Sequence, residues 1–232
     1  MRNESKWYKG SHNPIEAYNV WKYNQEFRKE HPEYFDPDGI LVFCGGQGAG
    51  KTISMVQYLF QLFDLYPSVV VCANIKLNLP ERYSDIKVVP WTGVESFTDV
   101  SNGYAGVVYV LDEIHLLFNS LESKKMDVTI FETISQQRKQ RKHIIGTAQV
   151  FGRLAKPFRE QFKYVVACNC IMHCFQINTL LDAKHTTITD AGEVIASNAK
   201  KYCWFHTPEL YESYDTYEVV KRMRKDWEVE KC

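Results

Sequence analysis

The segment Gly45-Gly46-Gln47-Gly48-Ala49-Gly50-Lys51-Thr52 fits the pattern GxxxxGK[ST]. Glycines tolerate positive φ and leave the backbone bare, so successive N–H groups can surround a phosphate. A helix beginning at Lys51 would aim the positive end of its dipole at the same anion. In such a loop Lys51 reaches the β- and γ-phosphates and the Thr52 hydroxyl is a ligand for Mg2+, so the expected ligand is ATP with its metal. A second candidate is the apolar run Val107-Val108-Tyr109-Val110-Leu111, which ends in Asp112-Glu113, 61 residues after Lys51. Ligands of open parallel sheets bind outside the carboxyl ends of the strands, so this pair is expected beside the loop. Asp112 would hold the hydration shell of Mg2+, and Glu113 could polarise a water for in-line attack on the γ-phosphate.

Two further sets of residues fit the same chemistry. The apolar strand from His143 to Thr147 leads into Ala148 and Gln149. A Gln amide there can donate to a γ-phosphate and accept from the attacking water, or it can simply cap the strand. A helix expected over 127–142 carries Arg138 and Arg141, three residues apart and therefore on one face. They could reach a neighbouring subunit's nucleotide as an arginine finger. Cations at a helix C-terminus also stabilise the dipole without any catalytic role.

These residues need a scaffold of alternating strands and helices. Asn13-Pro14-Ile15-Glu16 has an N-cap residue followed by Pro at the first helical position, which predicts a helix to near Lys29. That helix is either a strut packed on the main domain or an arm for a neighbouring subunit. From Ile40 onward the chain predicts a strand at Ile40 to Cys44, a helix from Lys51 to about Leu65, and strands at Val69 to Ala73 and Ile86 to Val89. Strands at Val107 to Leu111 and His143 to Thr147 follow. Such alternation implies an α/β fold, a parallel sheet flanked by helices. The spacing between Lys51 and Asp112 leaves room for an extra strand between the loop strand and the acidic strand, with Val69 to Ala73 as the candidate. After Lys163 the pattern changes to antiparallel hairpins. Tyr164 to Cys168 is expected to turn at Asn169 into Ile171 to Ile177, and Thr186 to Thr189 to pair with Val194 to Ser197. The expected organisation is an N-terminal helical extension over 1–38, an ATPase domain over 39–220 that is hairpin-rich from about 163, and a charged tail over 221–232.

The 232 residues carry 28 Lys and Arg against 28 Asp and Glu, with 45% hydrophobic and 24% charged residues. This excludes a disordered chain and a protein that coats nucleic acid by bulk charge. Neutrality is an average, however: the segment 121–163 has ten Lys and Arg against four acids, a local +6. That region could contact DNA phosphates or be a solvated face. The N-terminus lacks the apolar run of a secretory signal, and no stretch is long and apolar enough to span a bilayer. A cytoplasmic protein with its seven cysteines reduced is expected. Cys168, Cys170, His173, Cys174, Cys203 and His206 are spaced poorly for a zinc knuckle. Cys168, Cys170 and Cys174 are expected on one strand face as small apolar residues. His115, after the acidic pair, is expected to be a packed residue.

The phosphate loop, the run Tyr109 to His115 and the Arg-rich helix end before a strand closing in Gln149 resemble the FtsK/HerA superfamily of DNA-pumping ATPases. Phe118-Asn119-Ser120, Arg159 within Pro157 to Gln161, and Tyr211 to Tyr217 resemble the phage-encoded, zonular-occludens-toxin-like branch of that superfamily. The similarity spans about residues 38 to 220. It implies a P-loop NTPase of the RecA/ASCE-like type, assembled as a hexameric or pentameric ring that couples ATP hydrolysis to moving double-stranded DNA. Packaging of a viral genome, with a capsid or portal protein as docking partner, is the expected setting. By the same resemblance Lys51, Thr52, Asp112, Glu113 and Gln149 take the roles described above, with Arg138 or Arg141 acting in trans. The toxin-like assembly ATPases of filamentous phages carry a membrane span after the ATPase domain. This chain reaches Cys232 without one, which favours a packaging motor in the host cytoplasm over an assembly or secretion ATPase. A nucleotide switch or a kinase is the remaining alternative. The Asp112–Glu113 pair argues against the kinase, which gains nothing from activating water.

Overall fold

The computed structural model describes residues 13–31, 33–36, 39–117, 139–154, 156–188, 194–196 and 199–215. Helix α1 spans Pro14–Glu30, and strand β1 spans Ile40–Cys44. Helix α2 spans Lys51–Leu65. Strands β2 (Val70–Ala73), β3 (Lys76–Leu77), β4 (Lys87–Pro90), β5 (Val107–Leu111) and β6 (Lys142–Ala148) follow. The later strands are β7 (Phe162–Ile171), β8 (Phe175–Asp182), β9 (Thr186–Ile188), β10 (Val194–Ala196), β11 (Ala199–Phe205) and β12 (Tyr214–Asp215).

The main sheet has eight strands in the order β11-β8-β7-β1-β6-β5-β2-β4. Strands β7, β1, β6, β5, β2 and β4 run parallel, and β8 and β11 are antiparallel additions at one edge. The strand between the loop strand and the acidic strand is therefore β6; β2, the expected candidate, lies on the far side of β5. Side chains alternate across each strand. Leu41 and Phe43 of β1 join Ile53, Val56, Leu59, Phe60 and Phe63 in the core beneath α2. Ile40, Val42 and Cys44 join Tyr109, Leu111, Phe151, Leu154 and Phe158 on the opposite face. Each fully buried side chain of this size contributes about 1.5–3 kcal/mol, so both faces of β1 hold the phosphate loop's first anchor rigid.

The antiparallel edge departs from expectation. Strand β7 continues past Asn169, and the turn lies at residues 172–174, with Met172 and His173 at φ 53° and 57°. Cys174 consequently sits in the turn rather than on a strand face. Strand β11 was not expected at all. Its residues are mostly exposed, so no apolar alternation marks it, and it is held by its backbone ladder to β8. The hairpin of β9 and β10 pairs Ile188 with Val194, as expected.

Residues 207–215 fold back over the carboxyl edge of the sheet. Strand β12 pairs with β3, and Glu209 in the short helix Pro208–Glu212 accepts two 2.7 Å hydrogen bonds from Arg82. Helix α1 behaves differently. It is capped by the Asn13 side chain, which accepts from Ile15 N at 3.0 Å, yet it buries no residue. Among the described residues, its C-terminal end is fixed by Phe27 against His31 and Tyr34 and by Arg28 on Asp36 at 2.7 Å. Ile15, Tyr18, Trp21 and Tyr23 are all more than half exposed, so among the described residues the apolar side chains of α1 are not packed on the domain.

Candidate active site at the carboxyl edge of the sheet

Strand β1 ends at Cys44, and the glycine-rich turn delivers the chain to α2. Gly50, the N-cap of α2, has φ 77°, and a Cβ there would lie 2.1 Å from the Gln176 amide oxygen. Only glycine meets both conditions. No side chain caps α2, so its first-turn N–H groups face the cleft beyond the loop. Lys51 Nζ donates to the Gly46 carbonyl at 3.0 Å, folded across the loop that it would leave for a phosphate.

Asp112, at the end of β5, is only 9% exposed and is held from three sides. Thr52 Oγ1 donates to its Oδ1 at 3.2 Å, and Thr147 Oγ1 to the same oxygen at 2.6 Å. Asn74, just past β2, pairs with its backbone: Asp112 N donates to Asn74 Oδ1 at 2.8 Å and Asn74 Nδ2 donates to Asp112 O at 2.9 Å. The neighbouring Glu113 has φ 52° and donates its backbone N–H to Thr147 Oγ1 at 2.9 Å. A non-glycine residue in the left-handed region costs about 1 kcal/mol or more. Here Thr147 holds the strain, and the turn directs the Glu113 carboxylate away from Asp112 into the cleft. His115 Nδ1 lies 3.2 Å from Glu113 Oε2, off the angle of a hydrogen bond. It therefore flanks the carboxylate rather than only filling space.

The cleft has a volume of about 570 Å³. Gln47, Gly48, Gly50, Lys51 and Thr52 line it together with Asp112 and Glu113. Its opposite wall comes from the antiparallel edge and the folded-back residues 207–215: Cys170, His173, His206, Tyr211 and Tyr214. Burial pushes the Tyr214 hydroxyl up to about 12, so it is a neutral donor at physiological pH. Gln176, completely buried in β8, ties this wall to the loop by donating to Ala49 O at 3.0 Å.

The structure thus brings together Gly48, Gly50, Lys51, Thr52, Asp112 and Glu113. Gln149 follows β6, is exposed, and is not among the residues lining the cleft. Two residues earlier, Thr147 bonds Asp112 and the Glu113 backbone, whereas Gln149 was expected to face the γ-phosphate and the attacking water. Arg141 lies at the opposite end of β6. Its Nη1 donates to Phe35 O at 2.8 Å, and its guanidinium sits over the rings of Tyr34 and Tyr104. Arg138, and most of the expected helix 127–142 with it, lies outside the described residues, as does Phe118-Asn119-Ser120. Lys142 is a strand residue whose ammonium is buried, donating to Phe97 O and, at 2.8 Å, to Gln140 Oε1. Burial lowers its pKa. Two cations of the +6 segment therefore belong to the fold and not to a solvated face. Cys168 packs in the core, where burial pushes its thiol up to about 12.

Thr147, Asn74 and Gln176 were not singled out in the sequence. The first left a signal, since a Thr that ends an apolar strand beside the acidic strand can reach an adjacent carboxylate. The other two act across long separations in the chain and left none.

No family model matches the sequence, and no curated protein matches it. Among solved structures, the N-terminal domain of zonular occludens toxin from Neisseria meningitidis is 14% identical over 76% of this chain and 98% of that one, with a TM-score of 0.55. The two chains share a fold. The genome packaging NTPase B204 from Sulfolobus turreted icosahedral virus 2, in complex with ATP-gammaS, is 15% identical over 74% of this chain and 98% of that one, with a TM-score of 0.48. Among the described residues of this P-loop fold, no helix is long and apolar enough to cross a membrane.

Proposed function

We propose that the chain is an ATP-hydrolysing DNA translocase, most consistent with a viral genome-packaging motor. The observation that carries the hydrolytic part is the clamp in which Thr52 and Thr147 hold Asp112 while Thr147 fixes the backbone of Glu113. Phosphate-loop N–H groups and Lys51 bind the polyphosphate. Thr52 Oγ1 and Asp112 Oδ1 are hard oxygen donors at 3.2 Å, suited to holding Mg2+ directly or through water. The ion would supply charge neutralisation on the phosphates. Glu113 accepts a proton from the water as its oxygen attacks the γ-phosphorus, and the bond to the bridging oxygen of ADP breaks in line.

The DNA part is supported by surface charge. Lys156, Arg159 and Lys184 line a second groove of about 520 Å³, with Glu160 as its acidic member. Cations gathered in one groove suit a phosphate backbone. A ring of identical subunits suits the exposed aromatic side chains of α1, which a second copy of the chain would cover. The test is the ATPase rate with and without double- and single-stranded DNA. Stimulation by double-stranded DNA, weakening as salt is raised, is the expected result. A rate indifferent to both DNAs would contradict translocation and leave an assembly ATPase, while phosphoryl transfer to a nucleoside without free phosphate would indicate a kinase.

A further inference from the structure

The wall facing the carboxylates contains a hydrogen-bond chain that requires one proton more than a neutral imidazole carries. Gln176 Nε2 donates to Ala49 O at 3.0 Å and to Asn178 Oδ1 at 2.8 Å, which orients the amide. Its Oε1 is therefore the atom that faces His206 Nε2, at 3.1 Å. An amide oxygen only accepts, so Nε2 carries a hydrogen. On the other side of the ring, Nδ1 lies 2.5 Å from Tyr211 Oη. That hydroxyl donates its single proton to His173 O at 2.6 Å, so it presents a lone pair to Nδ1. Both ring nitrogens thus face acceptors, and the chain from Ala49 to His173 is complete only when His206 is an imidazolium.

Burial works against that charge and holds the His206 pKa below its ordinary value, opposed in part by the His173 carbonyl. Among the described residues, the groups packed on the ring supply no anion. They are the Cys170 thiol of β7 at 4.0 Å, the Trp204 ring of β11, Gln176 of β8, Tyr211 of the short helix and His173 of the turn. Burial raises the Cys170 and Tyr211 pKa values, which keeps both neutral. Across the cleft, Lys51 disfavours a cation while Asp112 and Glu113 favour one. A polyphosphate would add several negative charges to the same cleft and stabilise the imidazolium.

We propose that His206 is a positioning residue that takes up a proton when a nucleoside triphosphate binds, closing the chain through Gln176 onto the phosphate loop. This rests on the cleft being the nucleotide site. The sign follows from linkage. Binding raises the His206 pKa, so affinity is greatest at low pH. It falls by up to about tenfold per pH unit between the free and bound values.

The test is calorimetric binding of a non-hydrolysable ATP analogue with Mg2+, between about pH 6 and pH 8, in buffers of different ionisation enthalpy. The wild type is expected to take up as much as about one proton more than His206→Gln, which keeps a donor for Gln176 but cannot be protonated. The analogue's own titration is common to both. Tyr211→Phe leaves Gln176 and the His173 carbonyl around the ring and is expected to retain the uptake. Equal uptake in the wild type and His206→Gln overturns the proposal. So does wild-type uptake no greater than that of the analogue's own titration, whatever the variants do. Absence of any nucleotide binding by the wild type overturns the nucleotide reading as well.

Discussion

The two walls of the cleft are built on different principles. The carboxylate wall is made at the ends of neighbouring parallel strands, where Asp112, Glu113 and Thr147 are brought together by sheet register. Leu111 pairs with Gly146, so the residues that follow each strand must meet. The histidine wall is made by side chains from β7, β8, β11 and the helix Pro208–Glu212, held to each other and to the loop through Gln176, His206 and Tyr211. Strand register places the first wall, which Thr52, Thr147 and Asn74 then clamp, whereas side-chain hydrogen bonds between distant elements place the second. In the proposed function, chemistry that cannot tolerate displacement belongs to the first wall and groups that respond to a ligand belong to the second.

Thr147→Val probes the carboxylate wall most sharply. Valine keeps the shape but removes the proton donated to Asp112 and the acceptor for Glu113 N–H. Supporting hydrogen bonds of this kind are worth about 10- to 100-fold in activity, so steady-state kinetics should show that loss in kcat with a smaller change in KM. A change confined to KM would place Thr147 in ground-state binding and blur the distinction between the walls. Gln176→Leu should do the reverse. It unties the histidine wall and leaves Ala49 O without its donor, costing about 1–3 kcal/mol. The KM for ATP is expected to rise about tenfold while kcat changes less. Equal losses in both would mean that the second wall also acts in the transition state.

Arg141→Ala carries the smallest expected effect on activity. The side chain holds Phe35, far from the cleft, so denaturant titration should show a loss of about 1–3 kcal/mol with turnover of the folded protein unchanged. Turnover lost by fully folded Arg141→Ala would restore Arg141 as a trans-acting finger.

The difference between the walls also explains what could be read in the chain. The phosphate loop, the acidic strand end and the parallel core are local patterns, each contained in a run of about ten residues, and all appear where the residues imply them. The histidine wall joins Ala49 to Gln176 and Gln176 to His206, contacts for which no local period exists. Strand β11, with lysines at positions 200 and 201 and mostly exposed side chains, carries no burial signal because its pairing with β8 is chiefly a backbone ladder, joined by single side-chain contacts such as Tyr202 with Asn178. The turn at residues 172–174 was missed because Asn is the commoner turn residue, whereas here Met172 and His173 adopt positive φ. Arg141 and Lys142 looked like surface charge because both reach their carbonyl partners through folds distant in sequence, Phe35 and Phe97.

The proposed role of Glu113 is to activate the water that hydrolyses ATP on this loop. It is tested most directly by measuring nucleotide affinity and phosphate release together for Glu113→Gln. The amide preserves size and hydrogen bonding but cannot accept the proton. The account predicts affinity for Mg-ATP within about threefold of wild type and phosphate release slowed by about 10²- to 10⁴-fold. Phosphate release at the wild-type rate from protein that binds ATP normally would contradict it.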